Sequence, residues 1–121
     1  MQVPPAELEA VLLSHPSISD AAVIGIYSEE DETEYPVAYV VTQQNVQHTD
    51  EFSKEIKNFV DVKVAPHKKL RGGVIYIDKI PKAATGKILR RELRNRHSTR
   101  WHESAKLILS IKKNTLIYFI I

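Results

Sequence analysis

The sequence predicts an α+β fold, a small three-stranded antiparallel sheet packed by helices. Three observations carry this. Apolar, strand-like runs stand at residues 21–26, 35–41 and 73–77. Two other segments, 5–14 and 49–62, repeat apolar residues at helical spacing. Prolines, glycines and charged clusters separate these runs, which read helix, strand, strand, helix, strand, loop, helix.

Each element has a local cause. Pro5 suits a first helical position, and Leu8, Val11 and Leu12 share one face. His15-Pro16 ends that helix, because a residue before proline avoids the helical region. Ile18 and the run Ala21 to Ile26 read as a buried strand. Five acids between Ser28 and Glu34 make a solvated loop, and Tyr35 to Val41 forms the second strand, antiparallel to the first. Thr49 is a plausible N-cap for a second helix that presents Phe52, Ile56, Phe59 and Val60 on one side. Val64-Ala65-Pro66 closes it, and residues 67–73 form a basic connector into the third strand.

The stretch from Ile80 to Leu93 follows that strand. Pro81 cannot donate to a sheet ladder, so the strand stops there. Thr85-Gly86 is turn chemistry, since glycine takes backbone angles that other residues avoid. Ile88, Leu89, Glu92 and Leu93 fit a short amphipathic helix. Lys87 therefore stands on a glycine hinge, where it can enter a site as a mobile point charge. The plainer alternative is a solvated loop lysine. A Walker phosphate loop is excluded: Pro81 stands where that motif needs glycine, and Ile88 where it needs Ser or Thr.

The 121 residues suit one small domain with a short appendage, and the 43% hydrophobic content supports a modest core. There are no cysteines, which excludes disulfides and cysteine-based zinc sites. The first residues lack the basic and apolar regions of a secretory signal. The formal net charge of +2 hides an asymmetry. Residues 1–62 hold 12 acidic and 2 basic side chains, whereas 63–96 hold 11 basic and 2 acidic, a formal excess of +9. Such a field attracts a phosphate, an adenylate, a CoA nucleotide or nucleic acid, although solvated helix faces explain much of it. No nucleophile elbow, EF-hand spacing, interleaved aromatics or recognition-helix signature is present.

Residues 97–121 read differently. Residues 97–102 are polar and irregular, 105–113 could form a short helix, and 116–121 are an unbroken apolar end. Six residues fall far short of the roughly 20 needed to span a bilayer. That β-prone hexapeptide is an aggregation liability if exposed. His97 and His102 have no cysteine or carboxylate cluster to make a metal site.

Five stretches in one order resemble an adenylate-forming enzyme. They are Gln2 to Glu9, Ala22 to Gly25, Pro36 to Val41, Val64 to Lys68 with Leu70 to Val74, and Ile80 to Leu93. The last resembles the family's C-terminal P-K-x-x-x-G-K-I-x-R-R-x-L signature. The chain over residues 2–96 is most similar to the 4-coumarate–CoA ligase-like branch of the acyl-CoA synthetase/luciferase superfamily. The resemblance implies the small C-terminal lid domain of a two-domain ligase, with residues 97–121 as a tail outside the family. Such a ligase joins a small carboxylic acid to ATP as an acyl-adenylate, then to CoA as a thioester. Lys87 matches the adenylation lysine, Gly86 lets its loop approach closely, and Gln2 matches a glutamine that contacts the adenylate. ATP, CoA and Mg2+ serve the complete enzyme, and none is expected to bind tightly to this chain alone.

The departures carry further expectations. The large N-terminal adenylation domain, the implied partner, is absent from this chain, and the acid pocket with it. His67 stands where tyrosine is usual, and Ala83-Ala84 replace more polar residues. The chain alone is expected to be inactive, and neither a nucleic-acid partner nor a membrane span is expected. A non-catalytic remnant and a basic nucleotide- or nucleic-acid-binding module are the alternatives. The resemblance implies a cytoplasmic or peroxisomal protein, but Ala105-Lys106-Leu107 is internal and is not read as a C-terminal address. A shifted or extended reading frame after about residue 97 would account for the tail.

Overall fold

The computed structural model describes residues 4–98. Helix α1 spans Pro5–Leu13, strand β1 Ile18–Ser28, strand β2 Thr33–Thr42, helix α2 Asp50–Asp61 and strand β3 Val74–Tyr76, with a 3-10 turn at Pro66–Lys68 before β3. A third helix, α3, begins at residue 90 and is helical through 98. The chain divides into two compact units, the first ending at Arg90 and the second beginning at Arg91. Among the described residues, no helix is long and apolar enough to cross a membrane.

The strands lie in the order β1-β2-β3, so β1 is an edge. β1 and β2 pair antiparallel from Ile18↔Thr42 to Ser28↔Thr33, with a bulge near Asp20. Both strands run further than their apolar cores suggest, because Tyr27↔Glu34 and Ser28↔Thr33 continue the ladder and the loop shrinks to residues 29–32. β3 corrects one expectation. It pairs parallel to β2 through Ala38↔Val74, Tyr39↔Ile75 and Val40↔Tyr76, so the sheet is mixed rather than wholly antiparallel. A parallel neighbour requires a crossover that carries the chain back along the sheet, and α2 with its connector supplies it.

One face of the sheet carries Ala21, Val23, Ala38 and Val40. Leu8 and Leu12 of α1, Ile56 and Val60 of α2 and Leu70 of the connector close over it. The other face carries Ala22, Ile24, Val37 and Tyr39, which are also buried. A sheet covered on both faces explains why these strands read as unbroken apolar runs rather than alternating ones.

The N-cap of α2 forms as the sequence suggests: the Thr49 hydroxyl accepts from the Phe52 N–H at 3.1 Å. The Thr49 carbonyl also accepts from the Tyr76 hydroxyl at 2.8 Å, and Ser53 Oγ donates to that hydroxyl at 3.0 Å. These bonds tie the start of α2 to β3. At the other end of α2, Asp61 pairs with Lys57 and accepts from the Leu70 N–H at 2.9 Å. The helix is thereby fixed at both termini against the connector and strand that follow it.

Candidate functional site

Residues 81–89 are a closed hairpin. Lys82 and Ile88 pair as an antiparallel bridge. The Leu89 N–H donates to the Pro81 carbonyl at 2.9 Å and the Ala83 N–H to the Lys87 carbonyl at 2.9 Å. At the tip, the Gly86 N–H donates to the Ala83 carbonyl at 2.8 Å. Gly86 has φ of 89°, in the region that favours glycine. A three-residue hairpin loop whose last residue is left-handed has this bonding pattern. The expected glycine hinge thus lies in a hydrogen-bonded turn. The expected helix also starts later, at residue 90, because Ile88 is engaged in the bridge.

The hairpin carries three basic side chains up to Arg90, and they differ in partners. Lys82 Nζ lies 2.7 Å from Asp20 Oδ2, and the same carboxylate accepts from the Ala21 N–H at 2.9 Å. Arg90 Nη2 lies 2.6 and 2.8 Å from the two oxygens of Glu9. Lys87 is exposed, and among the described residues no carboxylate lies within ion-pair range of its ammonium. The closed turn therefore presents one lysine without an ion-pair partner among the described residues, while Lys82 and Arg90 are paired with carboxylates of the domain.

Glu9 is the residue that sequence reading missed. It is 7% exposed although it is charged. Its Oε2 accepts from the Val23 N–H at 2.8 Å, while Arg90 Nε donates to the Val23 carbonyl at 3.3 Å. Both backbone groups of Val23 point away from β2, at the free edge of β1, and the Glu9–Arg90 pair satisfies both. No buried side-chain nitrogen or oxygen among the described residues lacks a partner. The only advance signal was an acidic residue beside Leu8 and three positions before Leu12 on an otherwise apolar helix face.

The charge asymmetry is partly spent inside the molecule. Lys68–Glu7 at 2.8 Å, Lys82–Asp20 and Arg90–Glu9 each join the basic segment to the acidic first half. Away from the hairpin, the Tyr35 hydroxyl donates to Asp31. That hydrogen bond raises the tyrosine above its ordinary value, helped by burial and the carboxylate's charge and opposed by Arg71.

The expected site residues are placed as follows. Lys87 and Gly86 stand together at the hairpin tip, both exposed. Gln2 lies outside the described residues, as do the expected elements and histidine of the tail beyond residue 98. Residues 97 and 98, expected to be irregular, continue α3. Among the described residues, no group of three or more His, Cys, Asp or Glu side chains could hold a metal. An exposed lysine beside a tight turn is chemically suited to meet an anionic group such as a phosphate.

The family model of the AMP-binding enzyme C-terminal domain matches residues 7–87. A phenylacetyl-CoA ligase of Aspergillus niger is 50% identical over 96 residues, which is 78% of this chain and 17% of that protein. A probable 4-coumarate–CoA ligase of Dictyostelium discoideum is 49% identical over 94 residues, again 78% of this chain and 16% of that protein. Among solved structures, an acyl-CoA synthetase of Brucella canis superposes with a TM-score of 0.72 at 29% identity, over 80% of this chain and 18% of that one. A benzoate CoA ligase of Burkholderia xenovorans superposes with a TM-score of 0.67 at 37% identity, over 74% of this chain and 18% of that one. The chain spans about one sixth of the length of the two curated relatives. The family-model match over residues 7–87 makes this chain a member of the AMP-binding enzyme C-terminal domain family, and the superposed fold agrees with it.

Proposed function

We propose that this chain is the lid of an ATP-dependent acid–CoA ligase and that Lys87 is its adenylation lysine. The observation that carries the reading is the hairpin: a hydrogen-bonded turn offers Lys87 outward with no ion-pair partner among the described residues, while Lys82 and Arg90 each have one. In acyl-adenylate formation an anionic carboxylate must attack the α-phosphate and displace pyrophosphate. A lysine held between the two anions offsets their repulsion and stabilises the charge that develops in the transition state. Gly86 keeps the tip free of a side chain where the loop meets the nucleotide. Gln2 is assigned the adenylate contact that the family resemblance implies.

The remaining parts of the reaction belong to a large N-terminal adenylation domain, the partner on which the lid closes. The substrate is a small carboxylic acid, the class named by the phenylacetate, 4-coumarate and benzoate relatives. ATP, CoA and Mg2+ are bound chiefly by that partner, and the isolated chain holds none of them tightly. Residues 2–96 form the domain and 97–121 a tail outside it.

The test is a fusion of the N-terminal domain of the Aspergillus niger phenylacetyl-CoA ligase to this chain, assayed by phenylacetate-dependent ATP–pyrophosphate exchange. The reading expects exchange from the fusion and none from this chain alone. Robust exchange by the chain alone, or none from a folded fusion, contradicts it.

A further inference from the structure

The bonds within residues 81–89 set the shape of the hairpin but not where it stands on the domain. Its position is set at its two ends. At the first, Ile80 is buried and Lys82 reaches Asp20. The Lys82–Asp20 pair is exposed at 38% and 30% of its side chains, and such pairs hold geometry weakly. At the second, Arg90 follows Leu89, the last hydrogen-bonded residue of the hairpin. Its guanidinium spans two different elements, the Glu9 carboxylate on α1 and the Val23 carbonyl on β1.

We propose that Arg90 is the positioning residue of the Lys87 hairpin, fixing its base on the free edge of β1 through Glu9 and Val23. This rests on the reading of Lys87 for its functional consequence, but the placement of the hairpin can be tested without it. Three features single out Arg90. Glu9 is held in place from behind, because its Oε2 also accepts from the Val23 N–H. The planar guanidinium donates to the carboxylate and to the carbonyl together, which one ammonium cannot do in the same geometry. And only two residues separate Arg90 from Lys87, so a shift at its base moves the lysine with little loss. A displacement of about 1 Å in a positioned catalytic group costs on the order of a hundredfold in rate.

Two measurements decide it. In the 121-residue chain, amide hydrogen exchange at Val23 and amide chemical shifts at Ala83, Gly86 and Leu89 are followed by NMR, with Val40 and Val60 as core references. Arg90→Lys and Arg90→Ala are compared with Arg96→Ala, a surface variant expected to leave all these amides unchanged. The proposal expects the Val23 N–H, which donates to Glu9, to exchange at least tenfold faster in Arg90→Lys and the Ala83, Gly86 and Leu89 amide signals to shift, with Val40 and Val60 unaltered. If Arg90→Ala does not fold, Arg90→Lys alone carries the comparison. Unchanged exchange at Val23 with unchanged hairpin shifts, or equal acceleration throughout the domain, overturns it. In the fusion with the phenylacetyl-CoA ligase domain, Arg90→Lys lowers kcat for pyrophosphate exchange at least tenfold with KM for ATP within twofold. An unchanged kcat overturns the functional half. A fusion without activity contradicts the assignment of Lys87 and leaves the exchange result to judge Arg90.

Discussion

Arg90 and Glu9 close on a single residue of β1 from two directions: Glu9 takes the Val23 N–H and Arg90 gives to the Val23 carbonyl, while their own charges meet at 2.6 Å. An ion pair that also completes an exposed strand edge does more than neutralise charge. Removing either member strands the other together with a backbone group.

Glu9→Ala therefore costs more stability than its position on a helix suggests. It leaves the Val23 N–H without its acceptor and Arg90 without its counter-ion. The expected loss is about 2 kcal/mol, read by urea denaturation with an unchanged slope. A loss below about 0.5 kcal/mol would mean that water replaces the carboxylate at little cost.

Two glycines should respond to alanine for different reasons. At Gly86 a Cβ meets nothing within 4 Å, so only the left-handed backbone objects, at about 1 kcal/mol. At Gly72 a Cβ would stand 2.3 Å from Val37 Cγ2 and 2.9 Å from the Pro36 carbonyl oxygen. The connector must then leave β2, with which Gly72 shares a 2.9 Å backbone hydrogen bond. Gly72→Ala should destabilise by about 2 kcal/mol, more than Gly86→Ala. The reverse order in thermal unfolding contradicts the connector's placement.

Thr49→Ala removes the hydroxyl that accepts from Phe52 and should cost about 1 kcal/mol. Because the Thr49 carbonyl still accepts from Tyr76, β3 should keep its chemical shifts while the first turn of α2 loosens. Loss of β3 signals in the same variant would show that the cap and the strand are coupled.

Tyr35 should titrate above its ordinary value of 10.0, since the neutral hydroxyl donates to Asp31. A group raised on folding stabilises the fold below its unfolded pKa, and that contribution is lost as pH rises through the folded value. The window is therefore alkaline, above about pH 10, and neutral-pH stability is insensitive to it. Asp31→Asn should bring the Tyr35 midpoint down, as followed by its ring carbon shifts with Tyr35→Phe for assignment. An unmoved midpoint assigns the shift elsewhere.

What the sequence makes legible is local. Thr49 announces a cap, Pro5 a helix start and Gly86 a left-handed turn, because each acts through its own backbone neighbours. Orientation and partnership are not local. The three residues of β3 hold no signal for parallel pairing, which follows from how α2 carries the chain across. Gly86 signals its φ but not the cross-bonds that turn a supposed hinge into a closed hairpin. Arg90 is visible as one of many basic residues, but its meeting with Glu9 depends on a fold that brings the two together from opposite ends of the described chain.

Lys87→Ala in the fused ligase is the most direct measurement. Exposed and without an ion-pair partner among the described residues, Lys87 should leave stability within about 0.5 kcal/mol on truncation. Pyrophosphate exchange should fall by a factor on the order of a hundred to a thousand. An exchange rate unchanged by Lys87→Ala, in a fusion that is active and stably folded, would contradict the role assigned to the hairpin.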